Sequence, residues 1–245
     1  FFISIKFWSI IIFLDHLFNI LILLFWLLTF SFPIIVNLDI FLFVGGTELT
    51  KLFVYFSFGS ILSVKQNNLF RLLAYSGIPH AGILIACAIN PLPVSSDFLI
   101  LYFTFYIFSN VGLFICLNSL PKINKDFTIN DLSGLYKDSS FIAICLTIFL
   151  LSLAGAPLFA GFWGKFNVAL ISYKSFGLFL PILIMASAAV SFYYYIKIIR
   201  FIFLNKSIDQ TYKFSTNTIN IFLIIICVII TMALGINPNL MTKIF

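Results

Sequence analysis

From Phe98 to Leu120 the chain carries no charged residue, and from Phe141 to Tyr173 it carries only Lys165. Apolar runs of about 20 residues are what a helix needs to cross a bilayer. Several in succession leave little else that a chain can fold into. Charged residues make up 9% of the 245, against roughly 25% in a soluble globular domain. A water-soluble fold is excluded, because the polar groups needed to cover its surface are missing. Intrinsic disorder and a disulfide scaffold are excluded with it. A transmembrane β-barrel would show short alternating segments instead of long unbroken runs. The fold class expected is all-α, a polytopic membrane helical bundle.

Spans are expected at 2–31, 48–64, 69–89, 98–120, 141–173, 177–203 and 218–234, within one membrane domain over 1–245. That is about 7–8 crossings at the length a bilayer requires. Between the first two, Asn37, Asp39 and Gly45-Gly46 break residues 33–47 into a loop or re-entrant piece. A polar loop, 121–140, holds Lys122, Lys125, Asp126, Asp131, Lys137 and Asp138 and belongs outside the hydrocarbon. The run 141–173 is too long for one straight helix. It contains Ala154-Gly155-Ala156-Pro157, then Gly161 and Gly164. Proline removes a backbone donor and the glycines loosen the helix, so an interrupted helix is expected near 154–165.

The net charge of +6 comes from 14 basic and 8 acidic residues. The basic residues stand singly between apolar runs, without the dense patch that nucleic acid requires. They read as interface anchors and topology signals. If each run crosses once, one side receives Lys65, Arg71, Lys122, Lys125, Lys137, Lys197, Arg200, Lys206 and Lys213. The other receives Lys51, Lys174 and Lys243. Such a bias is what the positive-inside rule expects. Cys87, Cys116, Cys145 and Cys227 lie inside apolar runs with no metal-ligand spacing, and read as small core residues.

Charges within spans are costly, which makes them functional candidates. Lys165 sits just past the helix breaker, in Gly161-Phe162-Trp163-Gly164-Lys165-Phe166. A break frees backbone groups at membrane depth, and a lysine beside it can hold or release a proton. The competing reading is an interfacial lysine that snorkels. Asp15-His16 stands mid-run in the first span. There histidine can pass protons or simply bond a neighbouring helix. His80, in Gly77-Ile78-Pro79-His80-Ala81-Gly82, offers a relay group or interhelix packing. Arg71, one turn into the third span beside Tyr75 and Ser76, has an interface anchor as its competing reading. Tyr193-Tyr194-Tyr195 before Lys197 and Arg200 reads as an aromatic belt without a catalytic role. No phosphate loop, thiolate cluster or haem signature occurs, so neither a cofactor nor a metal is expected in this chain. The residues alone point to ion or proton translocation by a helical bundle with buried basic groups.

Two stretches go further. Gln66-Asn67-Asn68-Leu69-Phe70-Arg71-Leu72-Leu73-Ala74-Tyr75-Ser76-Gly77-Ile78-Pro79-His80-Ala81-Gly82 resembles the Q-T-x-I-K-R-L-L-A-Y-S-S-I-x-H-x-G signature of antiporter-like subunits of respiratory complex I. Asp131-Leu132-Ser133-Gly134-Leu135, followed by Leu150-Leu151-Ser152-Leu153-Ala154-Gly155-Ala156-Pro157-Leu158-Phe159-Ala160-Gly161-Phe162-Trp163-Gly164-Lys165-Phe166, is similar to the D-L-x-G-L … L-S-L-A-G-x-P-P-L-x-G-F-x-G-K-F pattern of the NADH dehydrogenase subunit 2 family. Phe192-Tyr193-Tyr194-Tyr195-Ile196-Lys197 resembles the Y-Y-Y-L-R ending of that family.

The resemblance implies a proton-translocating subunit of NADH:ubiquinone oxidoreductase that does no redox chemistry itself. NADH, FMN, iron–sulfur clusters and quinone would belong to other subunits. It implies a titratable lysine at the broken helix, here Lys165, with further basic residues along a mid-membrane axis. The family lysine of I-K-R falls on Phe70, while Arg71 keeps the arginine, which can only fix a field. His16 stands where the family has a lysine in an earlier broken helix. The family's first half is missing, so a C-terminal portion is expected, with the remaining helices in another chain or in a part of the protein outside this sequence. Partners would be other membrane-arm subunits and lipid, not nucleic acid. The Phe- and Ile-rich composition suits an organelle-encoded protein and places it in the mitochondrial inner membrane as a multi-pass protein, with a bacterial inner membrane as the alternative. The alternatives are a subunit of a stand-alone cation/proton antiporter and a non-pumping membrane-arm scaffold, the latter suggested by Phe70.

Overall fold

The computed structural model describes residues 48–120, 127–204 and 218–236. The expected first span, with Asp15 and His16, lies outside them. Within them the chain is all-α. Helix α1 runs over Glu48–Lys65 and α2 over Leu69–Ala88. Asn68 starts α2 by accepting the Arg71 backbone N–H at 3.1 Å, which satisfies one of the donors a helix start leaves free. Pro79 lies inside α2 and removes the bond that the Tyr75 carbonyl would otherwise receive. Helix α3 covers Ser95–Asn118. A 3₁₀ turn, Ile129–Leu132, and a single turn α4, Leu135–Asp138, follow. The Thr128 N–H and hydroxyl both donate to Asp131 Oδ2, at 2.7 and 2.8 Å, which fixes the start of the 3₁₀ turn. Then come α5 (Ser140–Ala154), α6 (Ala160–Phe176), α7 (Phe179–Phe203) and α8 (Thr218–Ile236).

Helix α1 lies along α2, α3 packs against α5, α6 and α8, and α7 closes the bundle against α1, α5 and α6. The polar segment from Phe127 to Asp138 caps one end of it. Leu69 N–H donates to the Phe127 carbonyl at 2.9 Å and Ile129 N–H to the Asn67 carbonyl at 3.0 Å. This end is where α1 and α7 finish and α2 begins. It therefore holds Lys65, Arg71, Lys137 and Arg200, while Lys51 and Lys174 sit at the other.

The expected interruption is present, between α5 and α6. The expected number of spans is not reached among the described residues. Among the described residues four helices, α2, α3, α7 and α8, are long and apolar enough to cross a membrane, not 7–8. The reasons are physical. Helix α1 carries three charges, Glu48, Lys51 and Lys65, in 18 residues. The break divides the run 141–173 into helices of 15 and 17 residues. At about 1.5 Å per residue neither piece spans a hydrocarbon core of about 30 Å.

Two apolar cores are stacked along the helix axes. One joins Leu69, Leu72 and Leu73 of α2 to Leu113–Leu117 of α3, Ile142–Leu153 of α5 and Tyr195–Ile202 of α7. The other joins Ile78 and Ile83 of α2 to Tyr102 and Phe105 of α3, Val168 of α6 and Leu180 and Ile184 of α7. Where one core gives way to the other, five of the helices turn a buried polar side chain inward. These are Ser76, Ser109, Ser152, Ser187 with Ser191, and Thr231. A polar layer therefore crosses the bundle between two apolar ones, and Lys165 and His80 both belong to it.

Candidate functional site

The site is built on the broken helix. Helix α5 stops because Gly155 adopts a left-handed backbone, φ 81°, which glycine takes without steric penalty. Its N–H closes back on the Leu151 and Ser152 carbonyls, each at 3.1 Å, and Ala156 N–H returns to Leu151 at 3.0 Å. Pro157 has no donor with which to continue. Leu158 then takes φ 79°, a strained conformation for a leucine, before α6 begins. A Cβ on Gly161 would collide with the Ser152 carbonyl, so only glycine lets α6 start this close to the last turn of α5. The end of α8 pins the same region through a bond from Trp163 Nε1 to the Gly235 carbonyl at 3.0 Å.

Stopping α5 in this way leaves the carbonyls of Leu153 and Ala154 pointing past the helix end. Lys165, 5% exposed in the second turn of α6, folds back to meet them. Its Nζ donates to the Leu153 carbonyl at 2.9 Å, the Ala154 carbonyl at 3.0 Å and Ser191 Oγ of α7 at 3.2 Å. An ammonium group has three donors, and here each has one neutral acceptor. The positive charge also faces the negative end of the α5 dipole. Beside it lies a cavity of about 220 Å³ between α6 and α7, walled by Phe162, Phe166, Met185 and Phe192 together with Gly155 and Pro157. Phe166, Met185 and Phe192 are also part-exposed, so this cavity reaches the outer face of the bundle.

His80 occupies the same polar layer from α2 and is 2% exposed. Its Nδ1 lies 2.7 Å from the Tyr102 hydroxyl, and its ring stacks on Tyr106 with centroids 4.9 Å apart. Its Nε2 is buried without a hydrogen-bond partner among the described residues. The structure thus brings Lys165 and His80 into one layer. Arg71 stands apart: it is exposed in the first turn of α2, nine residues before His80 and about 14 Å away along the axis. Phe70 packs on Phe127, ring centroids 6.3 Å apart. Among the described residues no group of His, Cys, Asp and Glu is assembled that could hold a metal ion.

Three side chains to which the sequence gave no site role border the site: Ser191, Tyr195 and Tyr102. The tyrosine triplet expected as an interface belt is divided. Tyr193 is 61% exposed, but Tyr194 and Tyr195 are fully inside. Their signal lay in spacing, since Ser187, Ser191 and Tyr195 recur every four residues and share one helix face. Tyr102 had no comparable signal.

The sequence profile described as NADH:quinone oxidoreductase/Mrp antiporter, TM, matches residues 19–192. NADH-quinone oxidoreductase subunit N of Bacillus anthracis is 38% identical over 147 residues, covering 59% of this chain and 29% of that protein. Respiratory complex I from Thermus thermophilus with bound Aureothin contains a chain that superimposes with a TM-score of 0.67 at 22% identity, covering 79% of this chain and 44% of that one. The membrane-bound sulfane sulfur reductase, an archaeal respiratory membrane complex, gives a TM-score of 0.70 at 20% identity, with coverage of 80% and 40%. The two solved structures establish a shared fold. The chain spans about a third of the length of the curated relatives it matches, between 29% and 38%. The comparisons overturn the expected mitochondrial inner membrane, because most relatives and structural neighbours are bacterial or archaeal. A Phe- and Ile-rich composition reports how a lipid-facing surface is filled and not which membrane holds it.

Proposed function

The chain belongs to the NADH:quinone oxidoreductase/Mrp antiporter transmembrane family, and from that premise we propose that it carries protons through the membrane arm of a quinone-reducing complex, with Lys165 as the group that titrates. One observation carries this reading: the Lys165 ammonium closes the broken helix through its bonds to Leu153, Ala154 and Ser191. Loss of its proton leaves two donors for three acceptors, so a carbonyl or hydroxyl is released. A buried acceptor without a partner is unfavourable by about 1–3 kcal/mol, and that penalty couples the charge on Lys165 to the geometry of the break. His80, in the same layer, is the second proton carrier, since a neutral imidazole has one donor and one acceptor nitrogen. Arg71 acts on the field at the positively charged end. His16 precedes the family match and is proposed for the same chemistry as His80.

On this reading α5 and α6 together make one interrupted crossing, α1 lies alongside, and the Lys65/Arg71/Arg200 end is the inside. The exposed apolar residues Leu178, Ile182, Tyr193, Phe222 and Ile229 face lipid or neighbouring membrane-arm subunits. NADH oxidation and quinone chemistry belong to those neighbours. A cation/proton antiporter is the second reading, because the family description includes it; the 38% identity to a subunit N favours the first. The scaffold reading draws on Phe70, which fills its position by packing on Phe127.

The test is proton translocation and NADH:quinone turnover of the parent complex carrying Lys165→Ala, in sealed vesicles, after assembly is verified. Loss of translocation in an assembled complex supports the titrating role. Unchanged translocation per NADH leaves the chain as scaffold.

A further inference from the structure

The neighbourhoods of Lys165 and His80 sit on different helices and meet at one hydrogen bond. On α7, Ser191 accepts from Lys165 at 3.2 Å, and Tyr195 follows one turn later on the same face. On α2, Ser76 precedes His80 by one turn, again on one face. The Tyr195 hydroxyl donates to Ser76 Oγ at 3.1 Å, joining the two faces. Ser76 gives its own proton to the Leu73 carbonyl at 2.7 Å, which orients its oxygen to accept from Tyr195. All four side chains are buried: Ser76 is 3% exposed, His80 2%, Ser191 2% and Tyr195 1%. A phenol hydroxyl buried in a packed bundle needs a partner, and a phenylalanine would fill the same volume without one.

We propose that Tyr195 on α7, held by Ser76, is the bridging residue that links Lys165 on α6 to His80 on α2 across the polar layer. A hydroxyl can accept one proton as it gives another, so it returns to the neutral phenol after each passage and carries no net charge. The buried and unpartnered Nε2 of His80 is the open end of the same series. This inference rests on the reading that Lys165 and His80 exchange protons, and it names the side chain between them.

The experiment is Tyr195→Phe in the assembled parent complex in sealed vesicles, beside Lys165→Ala. The expected result is at least a fivefold fall in proton translocation while complex content and thermal stability are kept. Ser76→Ala should give the same fall, Ser76→Thr should retain translocation, and Tyr195→Phe with Ser76→Ala should be no worse than either alone. A purely structural role would instead lower stability and leave the translocation of the surviving complex intact. If Lys165→Ala stops translocation and Tyr195→Phe does not, the bridge is overturned and the reading of Lys165 stands. If neither variant affects translocation, the reading of Lys165 falls and the bridge with it. Should Tyr195→Phe fail to assemble, the Ser76 pair decides: loss with alanine and retention with threonine supports the bridge, and retention with both overturns it.

Discussion

Replacing Lys165 by arginine separates holding a charge from moving a proton. A guanidinium keeps the positive charge and has five donors for the Leu153 carbonyl, the Ala154 carbonyl and Ser191. Its extra bulk can enter the adjoining cavity of about 220 Å³, so the break should stay closed. What changes is proton release. The reference proton affinity of a guanidinium exceeds that of a lysine ammonium by roughly 2–3 pKa units, or about 3–4 kcal/mol. In the same surroundings the neutral form is therefore about 100- to 1,000-fold rarer in the arginine variant. The assay is the initial rate of acidification of sealed vesicles on NADH addition, normalised to assembled complex. Translocation should fall by at least about tenfold, a limit set below the full 100-fold because release need not be the slowest step. Wild-type acidification by Lys165→Arg would refute the reasoning. It would mean that the site needs only a fixed charge at the end of α5.

Leu158 is 78% exposed in a left-handed conformation that disfavours it by roughly 1–2 kcal/mol, while glycine forfeits about 0.5–1 kcal/mol of backbone entropy. Leu158→Gly should therefore leave the unfolding temperature of the detergent-solubilised complex unchanged or slightly raised; a drop of several degrees would contradict the strain argument. The cysteines Cys87, Cys116, Cys145 and Cys227 are 0–6% exposed, so a maleimide should modify them in denatured but not in native membranes. Prompt labelling of any of them in the native state would show that the cores around them are not packed as described.

How much of this was legible in the sequence depends on whether the signal is local. The interruption was, because Gly155 and Pro157 act on the backbone where they stand, and so was the all-α bundle, because run length needs no tertiary information. The number of spans was not: an apolar run shows that a segment can enter the bilayer but not where each helix ends, and pieces of 15 and 17 residues do not cross alone. The acceptors of Lys165 lie outside local reach as well. Leu153 and Ala154 become acceptors only after α5 has stopped, and Lys165 finds them only because its side chain folds back to that end from the second turn of α6. Ser191 reads as an ordinary residue of an apolar helix and Tyr195 as part of an interface belt, and nothing local marks Ser76 as the partner of Tyr195. They form a layer only once five helices are set side by side and the two cores leave a gap between them at one depth.

That layer explains why a break is useful at this depth. A continuous helix consumes its own carbonyls and offers a lysine in a bilayer no acceptor, so the charge must snorkel to the surface or be lost. Interrupting α5 creates acceptors inside the bundle, level with the serines of the neighbouring helices, and the lysine can stay. The same acceptors are neutral, and so they bind the ammonium without trapping it as a carboxylate partner would. A group held by two carbonyls and one serine has a finite reason to keep its proton and a finite reason to lose it. The buried serines of α2 and α7 then matter less for stability than for continuity. They keep polar atoms at one level from Lys165 to His80, where an unbroken apolar core would separate the two.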